Sequence, residues 1–234
     1  MLSISRFART TLALASFALA SVTAQADIRE PLTPENSAVL LVDLQPQYAF
    51  SVHSIEADKL INNATGLSKA ARVFGVPTIF TTINAKSFAG SMFTQVANAR
   101  PDVTPIDRTS INALADERVQ SAVARTQRKK ILVGGLWTDS CVTLPVLSLL
   151  KQGHEVYVLT DIAGDVDEAS HQMAIQRMVQ AGAVPVTWLA VMLEWQGDWS
   201  KSATAGQVGE IALQHGGAWG LGIAYAREMK VGAK

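Results

Sequence analysis

Lys130-Ile131-Leu132-Val133-Gly134-Gly135-Leu136, followed by Trp137 and then Thr138-Asp139-Ser140-Cys141, is the stretch whose reading sets the architecture. Its first seven residues are a nearly continuous apolar run, the pattern of a strand covered on both faces. Thr138, Asp139 and Ser140 are residue types that cap helices, and the segment from Cys141 to about Gln152, closed by Gly153, reads as the helix they start. Cys141 therefore stands at a helix start, just past the carboxyl end of a buried strand.

The same alternation extends in both directions. Ala38 to Val42 is an unbroken apolar run with Asp43 at its carboxyl end. From Asp58 to Phe74, Leu60, Ala64, Leu67, Ala71 and Phe74 recur at steps of four and three, an amphipathic helix stopped by Gly75 and Pro77. Pro77 to Ile83 is rich in β-branched residues and reads as a second strand. Residues 84–109 read as a long polar loop interrupted by Pro101 and Pro105. Downstream, Glu155 to Thr160 is a strand ending at Asp161, Asp167 to Ala181 a helix ending at Gly182, and Val184 to Leu189 a last strand. This alternation predicts an α/β fold, a Rossmann-like three-layer αβα sandwich around a doubly wound, mostly parallel sheet. The domain is expected over 30–205, with a helical extension over 206–234.

Composition narrows the function classes. Of 234 residues 20 are basic and 20 acidic, the formal net charge is +0, and like charges do not cluster in runs. That balance argues against an electrostatic nucleic-acid binder and for a small-molecule partner chosen by shape and local chemistry. The first 26 residues have their own layout: Arg6 and Arg9, an apolar run from about Leu12 to Val22, then Ala24-Gln25-Ala26. This is the order of a secretory signal peptide. The apolar run falls short of the ~20 residues of a membrane span, so export to the periplasm or beyond, without stable membrane insertion, is the expectation. Cleavage after Ala26 removes two basic groups and no acid, leaving a charge near −2.

Export bears on the single cysteine. In an oxidising compartment Cys141 has no partner for an intrachain disulfide, so it is a link between chains, a packed hydrophobe or a reactive thiol. Ligands of open parallel sheets bind beyond the carboxyl ends of the strands, where both Asp43 and Cys141 lie. The positive end of a helix stabilises a thiolate, and its free N–H groups can hold an oxyanion. A carboxylate that takes the thiol proton, with a cation nearby, would activate such a nucleophile without a histidine. The four histidines, His53, His154, His171 and His215, are scattered, and His171 reads as a solvated or core-edge side chain. No catalytic metal and no cofactor are expected, and Gly134-Gly135 lacks dinucleotide-loop spacing and reads as a site of close helix packing.

Val42-Asp43-Leu44-Gln45, Ile106-Asp107-Arg108 with Ile111-Asn112-Ala113, and Gly134-Gly135-Leu136-Trp137-Thr138-Asp139-Ser140-Cys141-Val142 together resemble the isochorismatase-like cysteine hydrolases. Leu159-Thr160-Asp161 with Ala163, and Ala181-Gly182-Ala183 with Thr187-Trp188, extend the resemblance over roughly residues 30 to 200. It implies a catalytic triad of Asp43, Arg108 and Cys141, with Arg in the slot that more commonly holds Lys. Arg stays protonated and cannot shuttle a proton, so it would stabilise negative charge. The resemblance also implies a cis peptide bond between Trp137 and Thr138 that turns backbone N–H groups toward an oxyanion. Gln45, Phe50 and Asn112 are candidate substrate-binding residues. The implied activity is hydrolysis of a C–N bond in a small amide-like molecule, through a Cys141 thioester with Asp43 as base and then acid. The implied assembly is a homo-oligomer. The alternatives are a catalytically silent binding module with the same pocket, and a thiol redox protein, disfavoured because the chain has no resolving cysteine.

Overall fold

The structure, a computed structural model, describes residues 30–232; the signal-peptide reading of residues 1–26 lies outside the described residues. The elements follow in the order β1 (Ser37–Val42), α1 (Pro46–Ala49), α2 (Ala57–Val73), β2 (Thr78–Ile83), α3 (Thr94–Ala99), β3 (Ile106–Arg108), α4 (Glu117–Thr126), β4 (Lys130–Leu136), a wide single turn over Thr138–Val142, α5 (Thr143–Lys151), β5 (Glu155–Gly164), α6 (Glu168–Gln180), β6 (Val184–Val186), α7 (Trp188–Gln196), α8 (Ser202–His215) and α9 (Ala218–Gly232). The six strands form one sheet in the order β3-β2-β1-β4-β5-β6, and every pairing is parallel. Among the described residues no helix is long and apolar enough to cross a membrane.

The layers follow from strand alternation. Val39 and Leu41 of β1 face one core with Leu60 and Leu67 of α2, Trp195 of α7 and Val208 of α8. Ala38, Leu40 and Val42 face the other, with Val123 of α4, Leu149 of α5 and Met178 of α6. All six residues of β1 are buried, as a central parallel strand demands. Each fully buried Leu or Val contributes about 1.5–3 kcal/mol relative to exposure, so both faces of the sheet are strongly specified.

The structure corrects several sequence readings. The 84–109 segment carries α3 and the short edge strand β3, which pairs only with β2. Helix α4 had no reading; Asp116 caps it by accepting from the Arg118 N–H at 2.8 Å. Strand β5 runs on past Asp161, because a shift in register between Val133 and Gly135 lets Ala163 and Gly164 pair with Gly135 and Leu136. The last strand stops at Val186, since the Asp161 carboxylate accepts from the Trp188 N–H at 3.0 Å and so starts α7 there. The boundary drawn between 205 and 206 falls inside α8, whose Val208, Ile211 and Ala212 belong to the first core.

Candidate active site

Three strand ends meet at the crevice. In this strand order the chain turns back between β1 and β4, the place where open parallel sheets bind ligands. The chain leaves β1 sharply at Asp43, whose φ of 52° lies in the left-handed region. The Asp43 N–H still donates to the Thr81 carbonyl, so the residue is anchored to β2. On the other side Gly135, with φ 139°, brings β4 against β1: a Cβ there would sit 1.8 Å from the Val42 carbonyl oxygen. The adjacent glycines are thus a strand-to-strand approach, since a Cβ on Gly134 would meet Ile162 of β5 at 3.2 Å; the expected helix packing is not their cause. Arg108 closes β3 and reaches inward across β2.

Asp43 and Arg108 form an ion pair at 2.7 Å with both side chains fully buried. The Thr81 hydroxyl donates to Asp43 Oδ1 at 3.3 Å, and Arg108 Nη1 donates to the Ser110 carbonyl. The Cys141 thiol lies close enough to the Asp43 carboxyl for the two groups to perturb each other's titration. Burial pushes the Asp43 carboxyl above the ordinary range, an effect only partly opposed by Arg108 and the hydrogen bonds. The thiol of Cys141 is pushed up to about 12, first by burial and then by the negative charge of Asp43. Burial and the neighbouring carboxyl thus work against the thiolate that the helix start favours.

The turn that carries Cys141 is held from outside the cavity. Ser140 and Val142 N–H groups both donate to the Trp137 carbonyl, and the Thr143 hydroxyl donates to the Thr138 carbonyl at 2.6 Å. The Asp139 N–H donates to Asp165 Oδ2 at 2.8 Å, and the Thr138 hydroxyl lies 2.9 Å from His171 Nδ1. His171 is thus a buried neighbour of the turn, kept neutral by a pKa that burial lowers. The cis peptide bond lies between Leu136 and Trp137, one residue earlier than expected. The Trp137–Thr138 peptide already belongs to the turn, its carbonyl engaged by those two N–H groups.

A cavity of about 380 Å³ opens at Cys141, lined by Tyr48, Ile83, Ile111, Leu136, Trp137, Asp139 and Ser140. None of the three predicted substrate-binding residues lines it. Phe50 ends the four-residue α1 with its side chain 83% exposed, and it is Tyr48, two residues earlier, that turns inward. Gln45 is buried, its amide spent on Ile83 N–H, Ile83 carbonyl and Gly90 carbonyl. Asn112 caps a short turn through the Leu114 N–H and donates to the Ser148 hydroxyl. Sequence reasoning missed Tyr48, Ile83, Leu136 and the support from Asp165 and His171; only the aromatic and aliphatic character of the first three was available as a signal.

Comparison with known proteins places this geometry. A family model described as Isochorismatase domain matches residues 37–189. The probable hydrolase YcaC of Escherichia coli (strain K12) is 37% identical over 169 residues, 72% of this chain and 81% of that protein. The crystal structure of the Escherichia coli YcaC gene product, described as an octameric hydrolase of unknown specificity, matches with a TM-score of 0.80 at 32% identity, covering 85% of this chain and 97% of that one. YcaC from Pseudomonas aeruginosa, solved with hexane-2,5-diol and covalent acrylamide, matches with a TM-score of 0.79 at 32% identity over 84% of this chain and 96% of that one. The chain belongs to the isochorismatase family and is a YcaC-like hydrolase.

Proposed function

We propose that the protein cleaves a C–N bond of a small amide-like molecule by nucleophilic catalysis at Cys141. The observation that carries this reading is the Cys141 thiol on the wall of a cavity, coupled to the buried Asp43 carboxyl that Arg108 holds in place. Because the thiol rests protonated, its proton passes to Asp43 as Sγ attacks the carbonyl carbon. Asp139, Ser140 and Val142 N–H groups are committed to Asp165 and the Trp137 carbonyl, so the donors for the oxyanion in this turn are the Thr138 and Cys141 amides. Collapse breaks the C–N bond, and the leaving nitrogen takes the proton from Asp43. Water then attacks the Cys141 thioester, gives one proton to Asp43, and releases the acid; the thiolate recovers its proton from Asp43. Amide and water are consumed, amine and acid are formed, and the enzyme is regenerated.

Arg108 holds Asp43 in place and offsets its charge without moving a proton. Covalent acrylamide in the Pseudomonas aeruginosa relative supports a reactive nucleophile in this branch, since acrylamide is a small neutral amide whose conjugated alkene captures thiols. The octameric Escherichia coli relative supports self-association of this chain, which light scattering would measure. Residues 1–26 are read as an export signal, to be tested by N-terminal sequencing of protein from periplasm and medium.

The test is turnover of a panel of small amides and ureides by the full chain and by Cys141→Ala. Loss of about a thousandfold or more in kcat/KM is expected on any amide cleaved. Full turnover by the variant would exclude the mechanism. Arg108 is a poor first probe, because its removal leaves a buried carboxylate unpaired at a cost of about 3–5 kcal/mol.

A further inference from the structure

We infer that the cavity selects neutral amides that carry an apolar substituent and turns away molecules carrying a carboxylate. This rests on the reading of Cys141 as the nucleophile, and narrows it to a substrate class. The wall beside the sulfur is made of Ile83, Ile111, Leu136 and the rings of Tyr48 and Trp137. Trp137 presents its ring and not its N–H: the indole nitrogen donates to the Tyr48 carbonyl at 3.2 Å, and the two rings meet edge to face at 5.4 Å. An apolar chain or ring seated there replaces water on apolar surface, and a cavity of about 380 Å³ restricts it to a small group.

Charge points the same way. The cation nearest the chemistry, Arg108, is fully buried and bound to Asp43, so it offers a substrate carboxylate no free salt bridge. The one charged residue among those lining the cavity is an acid, Asp139, which is exposed. Arg177 lines an adjoining surface hollow that Asp139 also borders, together with Ser170 and Met173, and is not among the residues lining the cavity at Cys141. A carboxylate entering the cavity would lose hydration and meet an acid with no cation in return. The polar groups that remain, the Ser140 hydroxyl and the Tyr48 phenol, suit an uncharged amide.

Alkylation of Cys141 reads this selectivity without requiring turnover. The full chain would be treated with iodoacetamide, iodoacetate and N-hexyl iodoacetamide at one pH, with modification at Cys141 followed by mass spectrometry and each rate divided by that of free cysteine. The expected order is N-hexyl iodoacetamide fastest and iodoacetate slowest, with at least a tenfold gap between the two. Asp139→Asn should narrow the gap between iodoacetamide and iodoacetate severalfold. Equal or faster reaction of iodoacetate, a slower hexyl probe, or no alkylation by any of the three would overturn the inference. If the order holds while hexanamide and benzamide are both left uncleaved, the pocket class stands and C–N hydrolysis is what fails.

Discussion

Helices α5 and α6 start beyond neighbouring strands of one sheet, yet their first turns are satisfied in opposite ways. At α6 the side chain of Asp167 accepts from the Ser170 N–H at 2.7 Å, an ordinary cap that ties up the helix end locally. Ahead of α5 no side chain caps the turn. Its amides are instead directed to the Trp137 carbonyl and to Asp165, a residue of the α6 approach, while His171 of α6 meets the Thr138 hydroxyl. One helix start is closed on itself; the other is opened out and braced by its neighbour, which leaves its position available for chemistry. The second costs the fold more partners and serves the sulfur.

Four measurements would break or sharpen this contrast. The largest effect concerns the thiol. With its pKa pushed up to about 12, Cys141 carries about a thousandfold less thiolate at neutral pH than a thiol at the ordinary 9.0. Iodoacetamide should modify it more slowly than free cysteine, and the rate should keep climbing with pH where free cysteine has levelled off. A plateau below pH 9 would mean that the helix-start field outweighs burial. Next, Gly135→Ala should lower stability by about 3 kcal/mol, since a Cβ cannot coexist with the Val42 carbonyl at 1.8 Å; denaturant melts of the two proteins would show it.

Asp165→Ala removes the acceptor for the Asp139 N–H and should reduce kcat by about a hundredfold with little change in KM, because the sulfur and the oxyanion donors lose their alignment. Unchanged kcat would reduce Asp165 to a structural role. Asp167→Ala gives the smallest effect, a loss of about 1 kcal/mol from the missing cap, with kcat retained. If Asp167→Ala damaged turnover as Asp165→Ala does, the distinction between the two helix starts would collapse.

How far the sequence reaches depends on whether a residue acts through its neighbours along the chain or across the fold. Asp43 and Cys141 were legible because one ends an apolar run and the other follows the end of one, and parallel sheets gather strand ends on one side. Arg108 was legible only through the flanking resemblance, since a three-residue edge strand has too little periodicity to declare itself. The surroundings of Gln45 and Asn112 were not legible, because an amide side chain can serve a ligand or the backbone equally well, and nothing local reveals the bonds they make to Ile83, Gly90 and Ser148. His171 was set aside as a core-edge residue although it touches Thr138, a contact spanning 33 positions. The thiol shows the same limit: its helix placement is written in the chain, whereas its burial against the second core and beside Asp43 is written only in three dimensions.

The clamp made by Gln45 has a consequence for how molecules come and go. By binding the Ile83 carbonyl and the Gly90 carbonyl through one amide nitrogen, it straps the segment after β2 to the end of β1, and the Phe93 N–H fastens the far end of that segment to the Leu44 carbonyl. Ile83, where this strap begins, is also part of the cavity wall, so the wall beside the sulfur is fastened to β1 through the Gln45 amide. Loosening that fastening with Gln45→Ala should widen the range of ligand sizes that reach Cys141.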